Sequence, residues 1–447
     1  MSLSNYIILG FTLFALFFGA GNLIFPALLG QYAGENLWLA AIGFAITGVS
    51  LPLLGIMAIG FSGSNNLEEL AGRVHPIYGV VFTIMLYMTI GPFFAAPRTG
   101  AVAYEIGLAP FVGETYEALG LLIFTLIFFG VTLWLSLNPA KLVDRIGKIL
   151  SPILVLLLGG LLVTAFFKPM GDFGEAQGEY AVTPFMKGFT EGYNTMDALA
   201  SLVFGIIIIS SIKSMGVKSR RGILSATAKS GLIAVTLLAA IYLGIAYLGA
   251  TSTSILGLFD TGGPVLSGAA SHYFGTVGMM LLALLITLAC LTTSIGLMTA
   301  CAEYFNTLIP KISYKLFVVL FTLLTFIIAN FGLENIIKYS VPVLMFLYPL
   351  AIAIILLAFA SPLFKHKRMV YISTIFVTFL ISIIDGFKTL CKSLEIEYYG
   401  WLDPIITFYE KNLPMYDVGL GWFIPFVIVL VVTGIVALLL SRKEQAK

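Results

Sequence analysis

The sequence predicts an all-α integral membrane protein with twelve membrane-spanning helices. Two observations carry this prediction: 59% of the 447 residues are hydrophobic and only 10% are charged, and apolar runs of about 18 residues or more recur along the chain. A soluble domain carries about 25% charged residues, so most of the surface of this protein is expected to face the lipid bilayer. The net charge of +2 says little about partners, and no nucleic-acid partner is expected.

Twelve apolar runs follow one another along the chain. The predicted limits of the spans are 5–30, 37–61, 77–104, 116–137, 147–167, 188–212, 227–249, 274–303, 313–331, 337–360, 369–386 and 420–440. No connection between them is polar enough to fold as a separate aqueous domain. Residues 1–447 are therefore interpreted as a single polytopic domain.

The basic residues predict the orientation of the chain in the membrane. With a cytoplasmic N-terminus, 17 of the 24 Lys and Arg residues fall in the inner connections and the C-terminal tail. Cytoplasmic loops carry an excess of Lys and Arg in membrane proteins. An even number of spans then also places the C-terminus in the cytoplasm.

The first span is interrupted in its middle by the run Phe-Phe-Gly-Ala-Gly-Asn-Leu-Ile-Phe-Pro, residues 17–26. In hydrocarbon every backbone N–H and C=O needs an internal partner. A broken helix is tolerated where the freed backbone lines a polar cavity, as in secondary transporters. The carbonyls predicted to bind a cation are those of Ala15 and Phe18, and the N–H groups predicted to bind a carboxylate are those of Gly19, Ala20, Gly21 and Asn22. The alternative interpretation is close helix packing through small residues.

A second interruption is expected in the sixth span, at Gly205. Spans 1–5 and 6–10 would have opposite topology, because five is an odd number. Interruptions at corresponding positions of two inverted halves indicate a binding site near the midplane of the membrane. The predicted repeats are residues 1–167 and 188–360, followed by two further helices in 369–440.

Three adjacent hydroxyl residues in the eighth span form a candidate cation site. These residues are Thr292, Thr293 and Ser294, and the carbonyl of Ala289 lies one turn before them. Hard cations prefer oxygen ligands, and this part of the eighth span is predicted to lie at the depth of the break in the first span. The alternative is that each hydroxyl simply bonds a carbonyl one turn back along its own helix.

Three charged residues are expected within or near the membrane. Arg98 lies in the third span and Asp197 in the sixth, at similar predicted depth, and charges at that depth usually face a partner or an aqueous path. An ion pair between them is predicted, with Glu105 as a competing partner for Arg98. The pair is interpreted either as a gate or as a structural bridge, and Asp197 is also a candidate proton carrier.

The sequence shows none of the clusters that an enzyme would need. It contains no Gly-rich phosphate loop with its Lys, so ATP-driven transport by this chain is not expected. No Ser/His/Asp, Cys/His or metal-ligating cluster is evident, and the three histidines fall in predicted loops. No cofactor is expected apart from a coupling ion.

Three motifs together resemble the bacterial branched-chain amino acid:cation symporters. They are residues 17–26, the Ala-Pro-Arg-Thr of the third span and the Thr-Met-Asp-Ala-Leu-Ala-Ser-Leu-Val-Phe-Gly of the sixth. The resemblance implies a LeuT-type fold, with a 5+5 inverted repeat, discontinuous helices 1 and 6 and two additional helices. It also implies uptake of leucine, isoleucine and valine with Na⁺, or with H⁺ in some members, across the cytoplasmic membrane.

The resemblance further implies roles for individual residues. Gly19–Asn22 match the unwound part of the first span, Ser201, Phe204 and Gly205 match the break of the sixth, and Thr292–Ser294 match the hydroxyl ligands of a sodium site. The expected pocket for an aliphatic side chain consists of Phe17, Phe18, Tyr87, Val203 and Phe204. A hydrophobic pocket discriminates by only about 1–3 kcal/mol per methylene, so the three substrates should compete. The alternatives left open are H⁺ coupling and a non-transporting amino acid sensor on the same fold.

Overall fold

A computed structural model describes residues 2–64, 66–137, 151–217, 219–396, 400 and 402–445. Every regular element in these ranges is helical, and no strand occurs among them. The prediction of an all-α protein is therefore confirmed. The basic residues Lys141, Arg145, Lys148, Lys218 and Lys447, which contributed to the predicted orientation, lie outside the described residues.

The chain forms two compact units, and each contains segments that are distant in the sequence. The first unit comprises residues Met1–Leu53, Tyr87–Ala200 and Ala228–Ile337. The second comprises Leu54–Leu86, Ser201–Thr227 and Lys338–Lys447. Each unit therefore draws on both halves of the predicted inverted repeat, and that repeat remains a prediction.

The helices follow one another with short connections. In chain order they are α1 Leu3–Phe17, α2 Gly21–Ala33, α3 Leu37–Ala45, α4 Leu51–Ser62, α5 Leu67–Gly72, α6 Pro76–Met88, α7 Ala95–Gly107, α8 Glu117–Ser136, α9 Ser151–Phe167, α10 Glu179–Val182, α11 Pro184–Glu191, α12 Asp197–Ser214, α13 Arg220–Leu256, α14 Gly262–Leu308, α15 Tyr314–Ala329, α16 Leu333–Ala360, α17 Arg368–Leu394, α18 Asp403–Asn412 and α19 Phe423–Gln445. Short π-helical turns, Ile46–Ser50 and Thr89–Phe93, join α3 to α4 and α6 to α7.

Many of these helices are membrane-spanning by length and composition. Among the described residues, nine helical stretches are long and apolar enough to cross a bilayer, and three shorter apolar helices accompany them. The longest is α14, which extends well before the predicted start of the eighth span. It is divided at Gly275, whose φ of 62° lies in the left-handed region that favours glycine.

The break predicted in the first span is present. Helix α1 ends at Phe17, and Phe18 has an extended conformation with φ −72° and ψ 94°. Helix α2 begins at Gly21, so residues 18–20 separate the two helices. The separation leaves the last carbonyls of α1 and the first N–H groups of α2 without helical partners.

The break predicted at Gly205 is wrong in position. Gly205 lies within the continuous helix α12 and is buried in the second unit, where a Cβ at this glycine would approach the side chain of Ile59 at 3.0 Å. The irregular segment instead precedes α12: residues Gly192–Thr195 form a 3₁₀ turn, and Met196 is left-handed with φ 62°. Gly205 therefore permits close helix packing.

Small residues hold α2 and α13 together within the first unit. A Cβ added to Gly30 would lie 2.0 Å from the carbonyl oxygen of Ala246, and one added to Gly249 would lie 2.2 Å from that of Ala27. Each helix thus contributes one glycine and one alanine, three residues apart. Helices in membranes associate by such close backbone approach, because lipid provides no hydrophobic force between them.

We expect Gly249→Ala to destabilise the protein, because its methyl group cannot fit unless α2 and α13 separate. The free energy of unfolding should fall by about 1–3 kcal/mol, as for other overpacked interiors. Thermal unfolding of the purified protein in detergent measures this change. Gly130→Ala is the matched control, since a Cβ at that helical glycine meets nothing within 4 Å; equal stability losses in both variants would contradict the prediction.

Candidate functional site

Asn22 caps the break between α1 and α2. Its side-chain oxygen accepts a hydrogen bond from the N–H of Gly19 at 3.0 Å. Its Nδ2 donates to Oδ2 of Asp197 at 2.6 Å and also to the hydroxyl of Tyr242. One buried amide therefore joins the break to the start of α12 and to α13. The Gly19 amide thus has an internal acceptor, and its contact with a substrate carboxylate remains a prediction.

Asp197 is the first residue of α12 and is almost completely buried. Its Oδ2 accepts a second hydrogen bond from the hydroxyl of Tyr242, at 2.7 Å. Its backbone N–H donates to Oγ1 of Thr195 at 3.3 Å. A buried carboxylate is tolerated only where donors replace its hydration, and Asn22 and Tyr242 supply them here.

Arg98 lies on α7 against the first turn of α2. Its side chain is 2% exposed, and the guanidinium carbon lies 5.1 Å from the ring centre of Phe25. A Cβ added to Gly21 would approach Nη2 of Arg98 at 3.0 Å. The absence of a side chain at Gly21 therefore allows the guanidinium group to approach the backbone of α2. A direct ion pair between Arg98 and Asp197 remains a prediction.

Glu105 contacts the start of α14, and its competition for Arg98 remains a prediction. Its carboxylate accepts a hydrogen bond from the hydroxyl of Thr261, at the start of α14. The same carboxylate lies against Gly263, where an added Cβ would approach Oε1 at 2.7 Å. Glu105 is two helical turns beyond Arg98 on α7, and it connects that helix to the N-terminus of α14.

Thr293 brings the eighth span to the break. Its hydroxyl lies 3.3 Å from the carbonyl oxygen of Phe18 and 3.2 Å from that of Ala289. A Cβ added to Gly19 would touch the Thr293 side chain at 3.1 Å. Three of the oxygens predicted to bind a cation therefore converge, and a glycine at position 19 permits this approach.

The other predicted cation ligands have different surroundings. The hydroxyl of Thr292 donates to the carbonyl of Ala289 at 2.8 Å, so both Thr292 and Thr293 use the same acceptor. Ser294 is buried, and its Oγ accepts from the hydroxyl of Thr132 on α8 at 3.4 Å. Ala15 lies on α1, in its last turn before the break.

Three of the aromatic residues predicted to form the side-chain pocket, Phe17, Phe18 and Tyr87, are buried in the first unit. Phe17 is the last residue of α1 and Phe18 follows it, and the ring of Phe18 stacks on that of Phe14 with centroids 4.9 Å apart. Tyr87 stacks on Tyr304 at 4.4 Å. The remaining predicted residues, Ser201, Val203, Phe204 and Gly205, are buried on α12 in the second unit.

Charged groups hold the segment that precedes α12. Nζ of Lys187 lies 2.8 Å from Oε1 of Glu191 and 3.5 Å from a carboxylate oxygen of Glu179. The side-chain amide of Asn194 donates to the other oxygen of Glu191 at 2.8 Å. The negative charge of Glu191 raises the pKa of Lys187 above its ordinary value. This network links α11 to the irregular turn that positions Asp197.

Sequence reasoning missed Tyr242 and Phe25 as members of the site. Tyr242 is a tyrosine inside the long apolar run of α13, and a buried phenol usually has a hydrogen-bonding partner. That signal could have identified a polar contact but not Asn22 or Asp197 as its partners. Phe25 has no distinguishing sequence signal, because its role depends on the position of Arg98.

The chain matches known proteins over nearly its whole length. A family model described as "Branched-chain amino acid transport protein" matches residues 2–440. The chain is 49% identical over 445 residues to the branched-chain amino acid permease BraB of Bacillus subtilis, covering 100% of this chain and 98% of that protein. It is 43% identical to the branched-chain amino acid transport system 2 carrier protein of Pseudomonas aeruginosa, covering 98% and 97%. These relatives are named as a permease and a carrier, not as enzymes.

Two solved structures share the fold. The structure of MhsT in complex with L-phenylalanine has a TM-score of 0.57 at 16% identity, covering 96% of this chain and 98% of that one. Mhp1, a nucleobase-cation-symport-1 family transporter, has a TM-score of 0.56 at 14% identity, covering 90% and 93%. The expected LeuT-type architecture of a multi-pass membrane protein is confirmed by these similarities. The chain belongs to the family of branched-chain amino acid transport proteins.

Proposed function

We propose that this protein imports leucine, isoleucine and valine across the bacterial cytoplasmic membrane by Na⁺-coupled symport with alternating access. The observation that carries the proposal is the contact of Thr293 with the carbonyl of Phe18 at the break of the first span. Family membership supports the substrate class, because the relatives are named as branched-chain amino acid permeases. The basic residues of the predicted inner connections support cytoplasmic N- and C-termini.

The first turn of α2 is suited to the carboxylate of an amino acid. The N–H groups of Ala20, Gly21 and Asn22 open this helix and have no carbonyl one turn before them within it. The positive end of the helix dipole favours an anion at the same place. The guanidinium of Arg98 adds a full positive charge against Gly21. Backbone and side chain together support recognition of a carboxylate there.

The oxygens around Thr293 are spaced as neighbouring ligands of a cation. Hard cations such as Ca²⁺ bind oxygens at about 2.4 Å, so two ligands at a right angle lie about 3.4 Å apart. The Thr293 hydroxyl lies 3.3 Å and 3.2 Å from the carbonyls of Phe18 and Ala289. Hydroxyl hydrogen bonds are usually shorter, at about 2.7–2.8 Å. This spacing supports a Na⁺ site formed by α14 and the end of α1.

The shared position of the two sites explains how transport would be coupled. Phe18 would bind the cation through its carbonyl, and the next residues would bind the carboxylate through their N–H groups. A cation that orders this unwound segment therefore favours the conformation that binds the amino acid. Binding of each solute then increases the affinity for the other by the same factor, which is a reciprocal coupling.

Proton coupling is a second candidate, supported by Asp197. This buried carboxylate on α12 is held by Asn22, which also caps the break. Ionisable residues inside membranes commonly carry protons in transporters. Protonation would weaken the bonds that the ionised group accepts from Asn22 and Tyr242, and so alter the same segment.

We expect proteoliposomes that contain the protein to accumulate labelled leucine under an inward Na⁺ gradient. Excess isoleucine or valine should suppress this uptake, because an aliphatic pocket discriminates weakly among them. Replacing Na⁺ by choline should abolish accumulation, which is measured as retained radioactivity. Accumulation driven by a pH gradient alone would instead support H⁺ coupling. Leucine binding with no flux under either gradient would contradict transport and indicate a sensor.

Thr293→Ala should raise the Na⁺ concentration for half-maximal uptake. Loss of one oxygen ligand to a charged group weakens binding by about 1.5–3 kcal/mol, or about tenfold to one-hundredfold. Thr293→Ser keeps the hydroxyl and should restore most of the affinity. The control is Thr287→Ala on the same helix, whose hydroxyl likewise bonds a carbonyl four residues before it. An unchanged Na⁺ dependence in Thr293→Ala would remove this residue from the cation site.

Asp197→Asn should reduce leucine uptake about tenfold or more. The substitution removes the charged acceptor of the Asn22 amide and the Tyr242 hydroxyl, and each such bond contributes about 1.5–3 kcal/mol. Normal uptake by this variant would argue against a role for the carboxylate. Recovery of uptake in the double variant Asp197→Arg, Arg98→Asp would demonstrate the predicted ion pair.

The same variant separates the two coupling ions. If Na⁺ drives transport, Asp197→Asn retains a Na⁺-dependent, pH-independent residual uptake. If H⁺ drives transport through Asp197, a pH gradient accumulates leucine in the unmodified protein and fails to do so in Asp197→Asn. Uptake should therefore be measured from pH 5 to 8 in both proteins.

A further inference from the structure

An apolar groove lies between α9 and α14 in the first unit. Its volume is about 570 Å³, and it is lined by residues within 156–164 and 270–285, most of them leucine, together with Phe274 and the glycines Gly160 and Gly278. Both helices are apolar enough to lie in the membrane. Leu156 and Val277, on opposite walls, are 74% and 68% exposed, so the groove is accessible from the lipid-facing surface.

The chemistry of the walls excludes a polar occupant. The hydroxyl of Thr164 donates to the carbonyl of Gly160 at 2.8 Å, so its proton is already used. The rest of the lining consists of apolar side chains and glycine. Water avoids an apolar cavity, and an empty one forfeits the dispersion contacts of its walls. The groove therefore suits a hydrocarbon chain.

Gly160 leaves the floor of the groove open. A Cβ added to this residue meets no atom within 4 Å. On the opposite wall the left-handed Gly275 divides α14, and groove-lining residues lie on both sides of this break. The opening therefore arises from a missing side chain on one helix and a change of direction in the other.

The length of the groove matches one leaflet of a bilayer. From Leu156 to Thr164 the helix rises about 12 Å, and half of the hydrocarbon core is about 15 Å thick. Lys168 follows one turn beyond Thr164, with its N–H still bonded to the Thr164 carbonyl at 2.9 Å. Its exposed ammonium group therefore reaches the level of the lipid headgroups.

Polar groups from the two helices meet at that end of the groove. The hydroxyl of Tyr273 donates to the carbonyl of Lys168 at 2.6 Å. The ring of His272 lies against that of Tyr273, with centroids 5.1 Å apart, and is exposed. The Lys168 charge and the exposed His272 ring complement a phosphate, whereas the Tyr273 hydroxyl already donates its proton to the Lys168 carbonyl.

The geometry points to a binding site for an anionic phospholipid, with one acyl chain in the groove and its phosphate at Lys168. The bound chain fills the space between α9 and α14. Helix α14 also carries Ala289, about one turn beyond the last groove residue, Leu285, and Thr293, about two turns beyond it. The lipid thus stabilises the position of the helix that contacts the break. Binding of the lipid does not require that the protein transports a solute.

The test uses purified full-length protein, delipidated in detergent and supplied with dioleoyl phosphatidylglycerol or dioleoyl phosphatidylcholine. Native mass spectrometry should detect one tightly retained phosphatidylglycerol per chain, and the lipid should raise the Tm by several degrees. Gly160→Phe fills the groove and should lose both effects. Gly159→Phe is the matched control, because a Cβ there also meets nothing within 4 Å and the residue does not line the groove.

Three further variants keep the test decisive if Gly160→Phe fails to fold. Leu281→Trp fills the groove from α14 and should abolish retention, whereas Leu284→Trp, at an exposed position outside the groove, should not. Lys168→Gln should equalise retention of the two lipids. Retention of phosphatidylglycerol by both groove-filling variants would overturn the proposal. A change in oligomeric state in those variants, without bound lipid in the unmodified protein, would identify the groove as an interface between copies.

Discussion

Backbone N–H and C=O groups inside a membrane need hydrogen-bonding partners, and the structure around the break between α1 and α2 depends on this requirement. The break between α1 and α2 exposes backbone groups that neither lipid nor water can satisfy. The Asn22 side chain resolves part of this problem by accepting the Gly19 N–H and donating to Asp197 and Tyr242. A break that would otherwise be unfavourable becomes the point where three helices are joined. The candidate sites for cation and carboxylate lie beside it, at the end of α1 and in the first turn of α2.

Close backbone contact makes this arrangement possible. The paired glycines and alanines of α2 and α13 bring these helices together, and Tyr242 lies on the same helix, one turn before Ala246. Gly19 and Gly21 serve the same purpose at the site, since side chains there would collide with Thr293 and Arg98. Glycine therefore has two effects at the break: it permits unwinding, and it admits neighbouring side chains to the backbone. The first effect was predicted from the sequence, whereas the second depends on the neighbours.

The position of the first break could be predicted, and the errors elsewhere have physical causes. The break in the first span was located correctly, because two glycines followed by Asn and Pro are rarely compatible with a continuous helix in lipid. The same reasoning failed at Gly205, since a single glycine also serves helix packing, and the irregular turn at Gly192–Met196 has no equally distinctive composition. Thr293 was one of three candidate hydroxyls. A helix directs consecutive side chains about 100° apart, so Thr293 reached Phe18 while Ser294 contacted Thr132.

The sequence by itself determined the helical class, the membrane environment and the position of the first break, because these follow from hydrophobicity and from local backbone chemistry. It also contained the motifs that identify the family. Tertiary structure decided which polar groups meet: Asn22 with Asp197 and Tyr242, Arg98 with Gly21 and Phe25, and Glu105 with Thr261. These partners are separated by up to 220 residues, and local patterns carry no information about the packing that brings them together. The groove between α9 and α14 likewise depends on the packing of two helices that are distant in the sequence.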